Sequence, residues 1–183
     1  NGVVGMDIAG DEKHFPDYLH RASFKFAHTN NINITAHAGE SGGPENIRSA
    51  IMNLYAKRIG HGYACSTDNY LIAYLKRNNI HLECCLTSSL KTKSVTDINK
   101  HPLKTFHKKK LNFSINTDNS AIFNTSFQNE IDLAEQTLEL NNNQINEIMI
   151  SQSIRMTKPS CVDKNQNIQF FDFRPKRRKP GRR

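Results

Sequence analysis

The stretch INITAHAGESGGPENIRSAIMNLY, residues 32–55, decides the fold because it joins a predicted strand to a predicted helix. The run INITAHAGE (32–40) predicts the strand. Pro44 suits the first turn of the helix that follows, because its missing N–H would have no partner there. Apolar residues then recur at the spacing of one helical face. They are Ile47, Ile51, Leu54 and Tyr55.

The same strand–helix unit is repeated along the chain. Strands are predicted at residues 2–10, 32–40, 57–62, 80–86 and 111–117. Helices are predicted at 15–26, from Pro44, behind Asp68, from about Pro102, at 126–140 and around 143–156. The inward face of the first helix is predicted to be Phe15, Tyr18, Leu19, Ala22 and Phe26. Five such units indicate an α/β fold with a parallel sheet.

The chain is long enough for one domain with a substantial core, since it has 183 residues. No linker or internal repeat interrupts residues 1–157, which we predict to form that domain. Residues 158–183 are predicted to be a divergent C-terminal segment that ends in a basic disordered tail. The chain opens Asn1-Gly2-Val3 without an initiator Met, so we expect it to be part of a longer protein.

The positive charge is concentrated in the tail RPKRRKPGRR, residues 174–183. This tail holds seven of the 25 Lys and Arg residues and none of the 17 Asp and Glu residues, so the rest of the chain is close to neutral. Such a run could tether nucleic acid or act as a nuclear address. A solvated terminus is the commoner case, and the tail has no aromatic residue to stack on bases. We therefore predict that nucleic acid is not a partner.

Two further patterns exclude whole classes of protein. No apolar run approaches the roughly 18 residues that a membrane-spanning helix needs, so we predict no membrane association. The four cysteines, Cys65, Cys84, Cys85 and Cys161, lack the spacing of a metal or redox motif. Free buried thiols are typical of a reducing compartment, which predicts a cytoplasmic location.

Polar or glycine-rich clusters follow each predicted strand. They are Asp7 with residues 10–12, then residues 37–40, 60–62, 87–89 and 117–119. In a (β/α)8 barrel the active site is built from loops at this end of the strands. The competing Rossmann fold is disfavoured because no GxGxxG motif follows the first strand. The pattern therefore favours a partial barrel with a site at the carboxyl edge of its sheet.

Three residues of these clusters could hold or surround a zinc ion. His37, His61 and Asp118 offer the nitrogen and oxygen atoms that Zn²⁺ accepts. Glu40 could donate a proton without binding the metal. A bound metal beside an acid is suited to hydrolysis, because zinc lowers the pKa of its water to about 7.

Each of these residues has an ordinary structural explanation when taken alone. A histidine at a strand end is more often a hydrogen-bonded turn residue, and Asp118-Asn119 is typical of a turn. The histidines on helices or their approaches are predicted to have no role in a site. These are His14, His20, His28, His101 and His107. The recurrence of the clusters at equivalent places favours a site.

The residues resemble those of the adenosine deaminases, a family of the metal-dependent amidohydrolase superfamily. The matching stretches are VVGMDIAGDE (3–12), TAHAGE (35–40), KRIGHGY (57–63), LECCLTSSL (82–90) and NFSINTDNSAIF (112–123). The combination of HAGE, RIGHG and NTD in this order is specific, whereas HAGE alone would be weak. The resemblance implies the last five or so units of a TIM (β/α)8 barrel.

The resemblance also implies a role for each matching residue. His37 and Asp118 would ligate Zn²⁺, Glu40 would protonate purine N1, and His61 would orient the attacking hydroxide. The N–H of Gly10 would hold purine N3, Gly39 would let the substrate approach, and Asn119 would face purine N7. The implied reaction is zinc-dependent hydrolysis of adenosine, or 2′-deoxyadenosine, to the inosine nucleoside and ammonia in purine metabolism.

The chain departs from the family pattern in two ways. The family has a histidine–x–histidine pair of zinc ligands on its first strand, and this chain has no such pair. It also has Asn119 and Ser120 where the family has an aspartate followed by proline. We therefore expect the isolated chain to bind zinc weakly and to be inactive. The alternative is a non-catalytic paralogue that serves as a purine-binding or scaffold protein.

Overall fold

The architecture is a parallel sheet whose strands follow the order of the chain. A computed structural model describes residues 2–141, 143–146 and 148. The strands are β1 (Gly5–Met6), β2 (Asn33–Ala38), β3 (Arg58–His61), β4 (His81–Cys84) and β5 (Asn112–Ile115). Each strand pairs in parallel with the next in the order β1-β2-β3-β4-β5. A doubly wound sheet would reverse this order at a switch point, so the order confirms the predicted α/β fold and partial barrel.

Helices follow the strands and cover one face of the sheet. They are α1 (Arg21–Thr29), α2 (Pro44–Leu54), α3 (Asn69–Arg77), α4 (Leu86–Lys91), α5 (Leu103–Lys109), α6 (Ser120–Phe123) and α7 (Phe127–Leu138). Short 3-10 turns lie at Asp17–His20, Tyr63–Thr67 and Ile98–Lys100. None of the helices in the described part of the chain is long and apolar enough to cross a membrane.

The local sequence explains where these helices begin. Pro44 occupies the first turn of α2, as predicted. The carboxylate of Asp68 accepts hydrogen bonds from the N–H groups of Tyr70 and Leu71, which satisfies two unpaired donors of α3. Ser126 caps α7 in the same way by accepting from the N–H of Asn129. Side-chain caps therefore fix the starts of α3 and α7.

The core lies between the sheet and these helices. Its largest fully buried residues include Leu54, Ile59, Leu71, Leu75, Leu82, Leu103, Phe106 and Ile115. Each such side chain contributes roughly 1.5–3 kcal/mol through the apolar surface it removes from water. Cys65, Cys84 and Cys85 are free and buried as predicted, and burial raises the pKa of Cys65 to about 12.

The structure corrects the prediction for the first strand–helix unit. Only Gly5 and Met6 of residues 2–10 form a strand, and residues 17–20 form a 3-10 turn before α1. The predicted inward residues Phe15, Tyr18, Leu19 and Phe26 are in fact exposed. The buried residues of α1 are Phe24 and Ala27. The prediction was wrong because the apolar residues of α1 that it assigned to the inward face, Ala22 and Phe26, lie on the exposed face of the helix.

The remaining elements match the predictions to within a few residues, with two additions. The short helix α6 begins directly after the polar cluster that follows β5, whereas the short helix α4 begins at Leu86 and contains the cluster of residues 87–89. Of the helix predicted around 143–156, residues 143–146 and 148 are helical and the remainder lies outside the described residues. The divergent segment 158–183, its basic tail and Cys161 also lie outside them.

Candidate active site

The side chain of His37 points into the site because successive side chains of β2 point to opposite faces of the sheet. Ile34, Ala36 and Ala38 are buried against the helices, so His37 points to the opposite, half-exposed face. The neighbouring strand provides room for its ring, since His37 is paired in register with Gly60 of β3. A Cβ atom at Gly60 would lie 2.8 Å from Cδ2 of His37. Glycine at this position therefore leaves the space that the imidazole occupies.

A carboxylate from the segment after β1 orients the His37 ring. Nδ1 of His37 lies 3.4 Å from Oδ1 and 3.2 Å from Oδ2 of Asp7. The hydrogen bond to Asp7 raises the pKa of His37, although burial acts in the opposite direction. In metal sites, a ligating histidine commonly donates its second ring N–H to a carboxylate in this way. The contact leaves Nε2 of His37 for any ligand at the site.

His61 ends β3 in an unusual backbone conformation. Its φ of 64° lies in the left-handed region, which costs a residue with a Cβ about 1–2 kcal/mol. The side chain is only 2% exposed, and its ring centroid lies 5.2 Å from that of His37. Burial lowers the pKa of His61, opposed in part by the charge of Glu40, so the imidazole is neutral at neutral pH.

Glu40 faces His61 from the loop between β2 and α2. Its Oε2 lies 3.6 Å from Nε2 of His61, and its Oε1 accepts a hydrogen bond of 3.3 Å from the hydroxyl of Thr92. Nδ1 of His61 is buried without a hydrogen-bond partner among the residues that the structure describes. Buried ring nitrogens are normally paired, so this atom is an exception among the described side chains.

Asp118 and Asn119 follow β5 and have different surroundings. Oδ2 of Asp118 accepts a 2.6 Å hydrogen bond from the buried hydroxyl of Ser88. The negative charge of Asp118 acts to raise the pKa of both His37 and His61. The three side chains therefore form one electrostatic cluster. The Oδ1 atom of Asn119 instead accepts from the N–H of Ile122 at 3.0 Å and caps α6.

The two predicted substrate-contacting glycines differ in what surrounds them. Gly10 has a φ of 134°, and a Cβ atom added there would meet nothing within 4 Å. The space beside Gly10 is therefore open to a ligand. A Cβ at Gly39 would lie 2.5 Å from Cδ1 of Ile47, so packing against α2 alone requires glycine at this position. Its role in substrate approach stays a prediction.

The strand ends thus bring together His37, Glu40, His61 and Asp118, whereas Asn119 is engaged with α6. The donor chemistry of His37 and Asp118 fits Zn²⁺. Within residues 2–141, 143–146 and 148, however, no three His, Cys, Asp or Glu side chains form a group that could hold a metal ion. The described residues fit part of a zinc site, and further ligands would have to come from elsewhere.

Three residues that contribute hydrogen bonds to the site were not predicted from the sequence. Asp7 pairs with His37, Ser88 donates to Asp118, and Glu12 accepts from the backbone of the loop that carries Glu40. All three belong to the polar clusters after the predicted strands. Their pairings join residues about 30 positions apart. Only their place at strand ends could have indicated them.

Similar proteins of known sequence are bacterial adenosine deaminases. The adenosine deaminase of Clostridium kluyveri is 43% identical over 129 residues, which are 70% of this chain and 37% of that protein. The adenosine deaminase of Photorhabdus laumondii is 41% identical over 149 residues, which are 81% of this chain and 45% of that protein. The chain therefore spans less than half the length of these relatives.

Similar solved structures cover much of the chain. The N6-methyl-AMP deaminase of Arabidopsis thaliana superposes with a TM-score of 0.72 and 29% identity, covering 85% of this chain and 49% of that one. An amidohydrolase of Burkholderia ambifaria with bound Zn gives a TM-score of 0.74 at 20% identity, covering 81% and 42%. The latter supports the fold alone.

The family model for adenosine deaminase matches nearly the whole chain, over residues 1–172. The match includes each strand end that contributes a side chain to the cluster described above. Together with the bacterial relatives, it shows that this chain belongs to the adenosine deaminase family.

Proposed function

We propose that this chain forms part of the active site of a hydrolytic deaminase that converts adenosine or 2′-deoxyadenosine to the inosine nucleoside and ammonia. The convergence of His37, Glu40, His61 and Asp118 at one edge of the sheet carries the proposal. The site would work only together with the part of the barrel that the relatives have and this chain does not match. Family membership and the adenosine deaminases among its relatives support the substrate.

The proposed roles are those that the family resemblance implies, and the surroundings of each residue support them. Glu40, 3.6 Å from a histidine that is neutral at neutral pH, would donate a proton to purine N1 and make C6 more electrophilic. His61 would accept a hydrogen bond from the water that attacks C6 and orient it. Gly10, which borders open space, would offer its N–H to purine N3. Water adds at C6, and the amino group leaves as ammonia.

The proposed metal ligands in this chain are His37, oriented by Asp7, and Asp118, held by Ser88. Zn²⁺ at this position would lower the pKa of a bound water to about 7. A catalytic zinc normally has three protein ligands. The remaining ligands are therefore proposed to lie in the part of the barrel outside this chain.

A chimeric barrel tests this proposal. In the chimera, this chain replaces the matching region of the Photorhabdus laumondii adenosine deaminase. We expect the chimeric barrel to deaminate adenosine with zinc supplied, measured by loss of adenosine absorbance. Glu40→Gln should lower kcat roughly 10²–10⁴-fold, the usual contribution of a positioned acid. Glu45→Gln, at an exposed position on α2, is the matched control and should leave kcat unchanged. Equal rates in the Glu40→Gln and parent chimeras would contradict the role of Glu40.

A second candidate function is a paralogue that binds purines or serves as a scaffold without turnover. Asn119 favours it, because the family resemblance places a carboxylate there and the structure uses the amide to cap α6. A chimeric barrel that binds a non-hydrolysable purine nucleoside but shows no turnover with zinc would support this second function against the first.

A further inference from the structure

The carboxylate of Glu12 makes an unusual set of contacts with the loop that carries Glu40. Its Oε2 accepts from the N–H of Gly39 at 2.7 Å. Its Oε1 accepts from the N–H groups of Glu40, Ser41 and Gly42 at 2.8, 2.7 and 2.9 Å. One side chain from the segment after β1 therefore satisfies four consecutive backbone donors between β2 and α2.

These donors have no alternative partner in regular structure, because the loop lies between the last residue of β2 and the first turn of α2. Backbone N–H groups withdrawn from water without an acceptor are costly, and a carboxylate is the strongest acceptor that a side chain offers. Four charge-assisted hydrogen bonds fix the direction of four successive peptide groups. The loop conformation, and with it the direction of the Glu40 side chain, depends on Glu12.

The surroundings are built to receive this carboxylate. The main-chain oxygen of Glu12 accepts from Nδ2 of Asn46 at 3.0 Å, and Oδ1 of Asn46 accepts from the N–H of Gly43 at 3.1 Å. A Cβ atom at Gly42 would lie 2.8 Å from Oε2 of Glu12 and 2.7 Å from Cγ of Asn46. Glycine at residue 42 is therefore what allows the carboxylate to approach the backbone so closely.

We propose that Glu12 is a positioning residue, which holds the loop of residues 39–42 so that Glu40 faces His61. Glu12 hydrogen-bonds to the backbone of Glu40 and not to the side chains of the 3.6 Å Glu40–His61 pair, so it acts through the loop. The consequence for catalysis rests on the proposed deaminase function. The consequence for the loop can be measured without any turnover.

The first arm of the test measures amide hydrogen exchange by NMR in the 183-residue chain. Glu12→Ala should abolish the protection of the amides of residues 39–42. Glu12→Gln keeps the size of the side chain and one oxygen, so protection should be lost at Gly39, whose N–H would face the new NH2 group, and be partly retained at residues 40–42. Asp11→Ala is the control, because the side chain of the neighbouring Asp11 hydrogen-bonds to Lys13 and His14 and not to residues 39–42.

The Gln variant also covers the case in which the Ala variant fails to fold. Unchanged protection of residues 39–42 in a folded Glu12→Gln or Glu12→Ala chain would overturn the proposal. Loss of protection across the whole chain in Glu12→Gln would overturn it as well, because the residue would then be a general determinant of folding.

The second arm measures kinetics in the chimeric barrel. Misplacing a catalytic group by about 1 Å costs roughly 10²-fold in rate. Glu12→Gln should therefore lower kcat by about that factor, change KM much less, and retain more activity than Glu12→Ala. Unchanged kcat in Glu12→Gln, with loop protection lost, would overturn the positioning role. An inactive parent chimera would count against the proposed function only, because the exchange arm decides the loop contact separately.

Discussion

At the scale of single residues, Asn119 stabilises a helix start although it differs from the residue that the family has at this position of the site. Its amide oxygen caps α6 by accepting from the N–H of Ile122. The family resemblance places a carboxylate here, which would contact purine N7. Aspartate is as good an N-cap as asparagine, so the substitution need not disturb α6.

Asn119→Asp in the chimeric barrel should therefore raise kcat/KM. Purine N7 is an acceptor, so the new carboxyl group would have to be protonated to donate to it. A neutral hydrogen bond of this kind contributes about 0.5–1.5 kcal/mol, which corresponds to roughly 2- to 12-fold. Steady-state kinetics with adenosine measure the change. Asn124→Asp, which adds the same charge at the C-terminal end of α6, should not raise it. An equal or lower rate in Asn119→Asp would show that this side chain does not face the substrate.

At the scale of secondary-structure elements, His101 ties α4 to the start of α5. Its Nδ1 accepts from the N–H of Leu103 at 3.1 Å, and its Nε2 lies 3.0 Å from the hydroxyl of Ser89, which donates to the carbonyl of Leu86. The ring is 1% exposed, and burial lowers its pKa from 6.5 to about 4. The folded protein therefore holds His101 neutral, with both ring nitrogens engaged.

This contact predicts a loss of stability in mild acid. Between pH 6.5 and 4 the unfolded chain protonates His101 while the folded chain does not. The stabilisation is thus fully present above pH 6.5 and is lost as the pH falls towards 4. The depressed pKa corresponds to about 3 kcal/mol.

Urea unfolding at pH 7 and at mildly acidic pH measures this effect. His101→Gln should be less stable than the parent at neutral pH and should lose less free energy of unfolding on acidification. His20→Gln, at an exposed position, should keep the parent's pH dependence. A His101→Gln chain with the parent's full pH dependence would assign the acid sensitivity to other groups.

The same scale shows why some elements could be predicted from the sequence and others could not. Strands β2 to β5 were predicted at nearly their observed positions because each ends at a polar or glycine-rich cluster, and β2, β4 and β5 have apolar residues at alternate positions. The helices α4 and α6 were missed because each is short and begins among Ser, Thr or Asn residues that are also typical of turns. The inward face of α1 was predicted wrongly because apolar spacing alone does not say which face is buried, and α1 buries Phe24 and Ala27 while Phe26 is exposed.

Some residues of the candidate site could likewise be predicted from the sequence, whereas the contacts that hold them could not. His37, Glu40, His61 and Asp118 could be found because each directly follows or ends a recognisable strand. The contacts that hold them, such as those of Asp7 and Glu12, are between residues separated by 27 to 30 positions. Pairings of this kind have no periodicity along the chain. They depend on the register of neighbouring strands, which only the three-dimensional structure supplies.

At the scale of the whole molecule, the first strand–helix unit exposes a set of apolar side chains, which we call the apolar patch. It consists of Val3, Val4, Phe15, Tyr18, Leu19 and Phe26, with exposures between 57% and 80%. Soluble monomers rarely expose large apolar surfaces, and the same unit also supplies the edge strand β1. Nothing in the described part of the chain covers this patch.

The 183-residue chain on its own should therefore self-associate through this patch. Sedimentation velocity should show a mass that increases with protein concentration, and the double variant Phe15→Ser, Leu19→Ser should shift the chain towards monomer. Tyr70→Ser is the matched control, because Tyr70 is 84% exposed but lies on α3, away from β1. In the chimeric barrel the same double variant should instead lower stability, since the patch would be covered there. The prediction would be contradicted if the chain stayed monomeric at all concentrations. It would also be contradicted if Tyr70→Ser shifted the chain towards monomer as much as the double variant does.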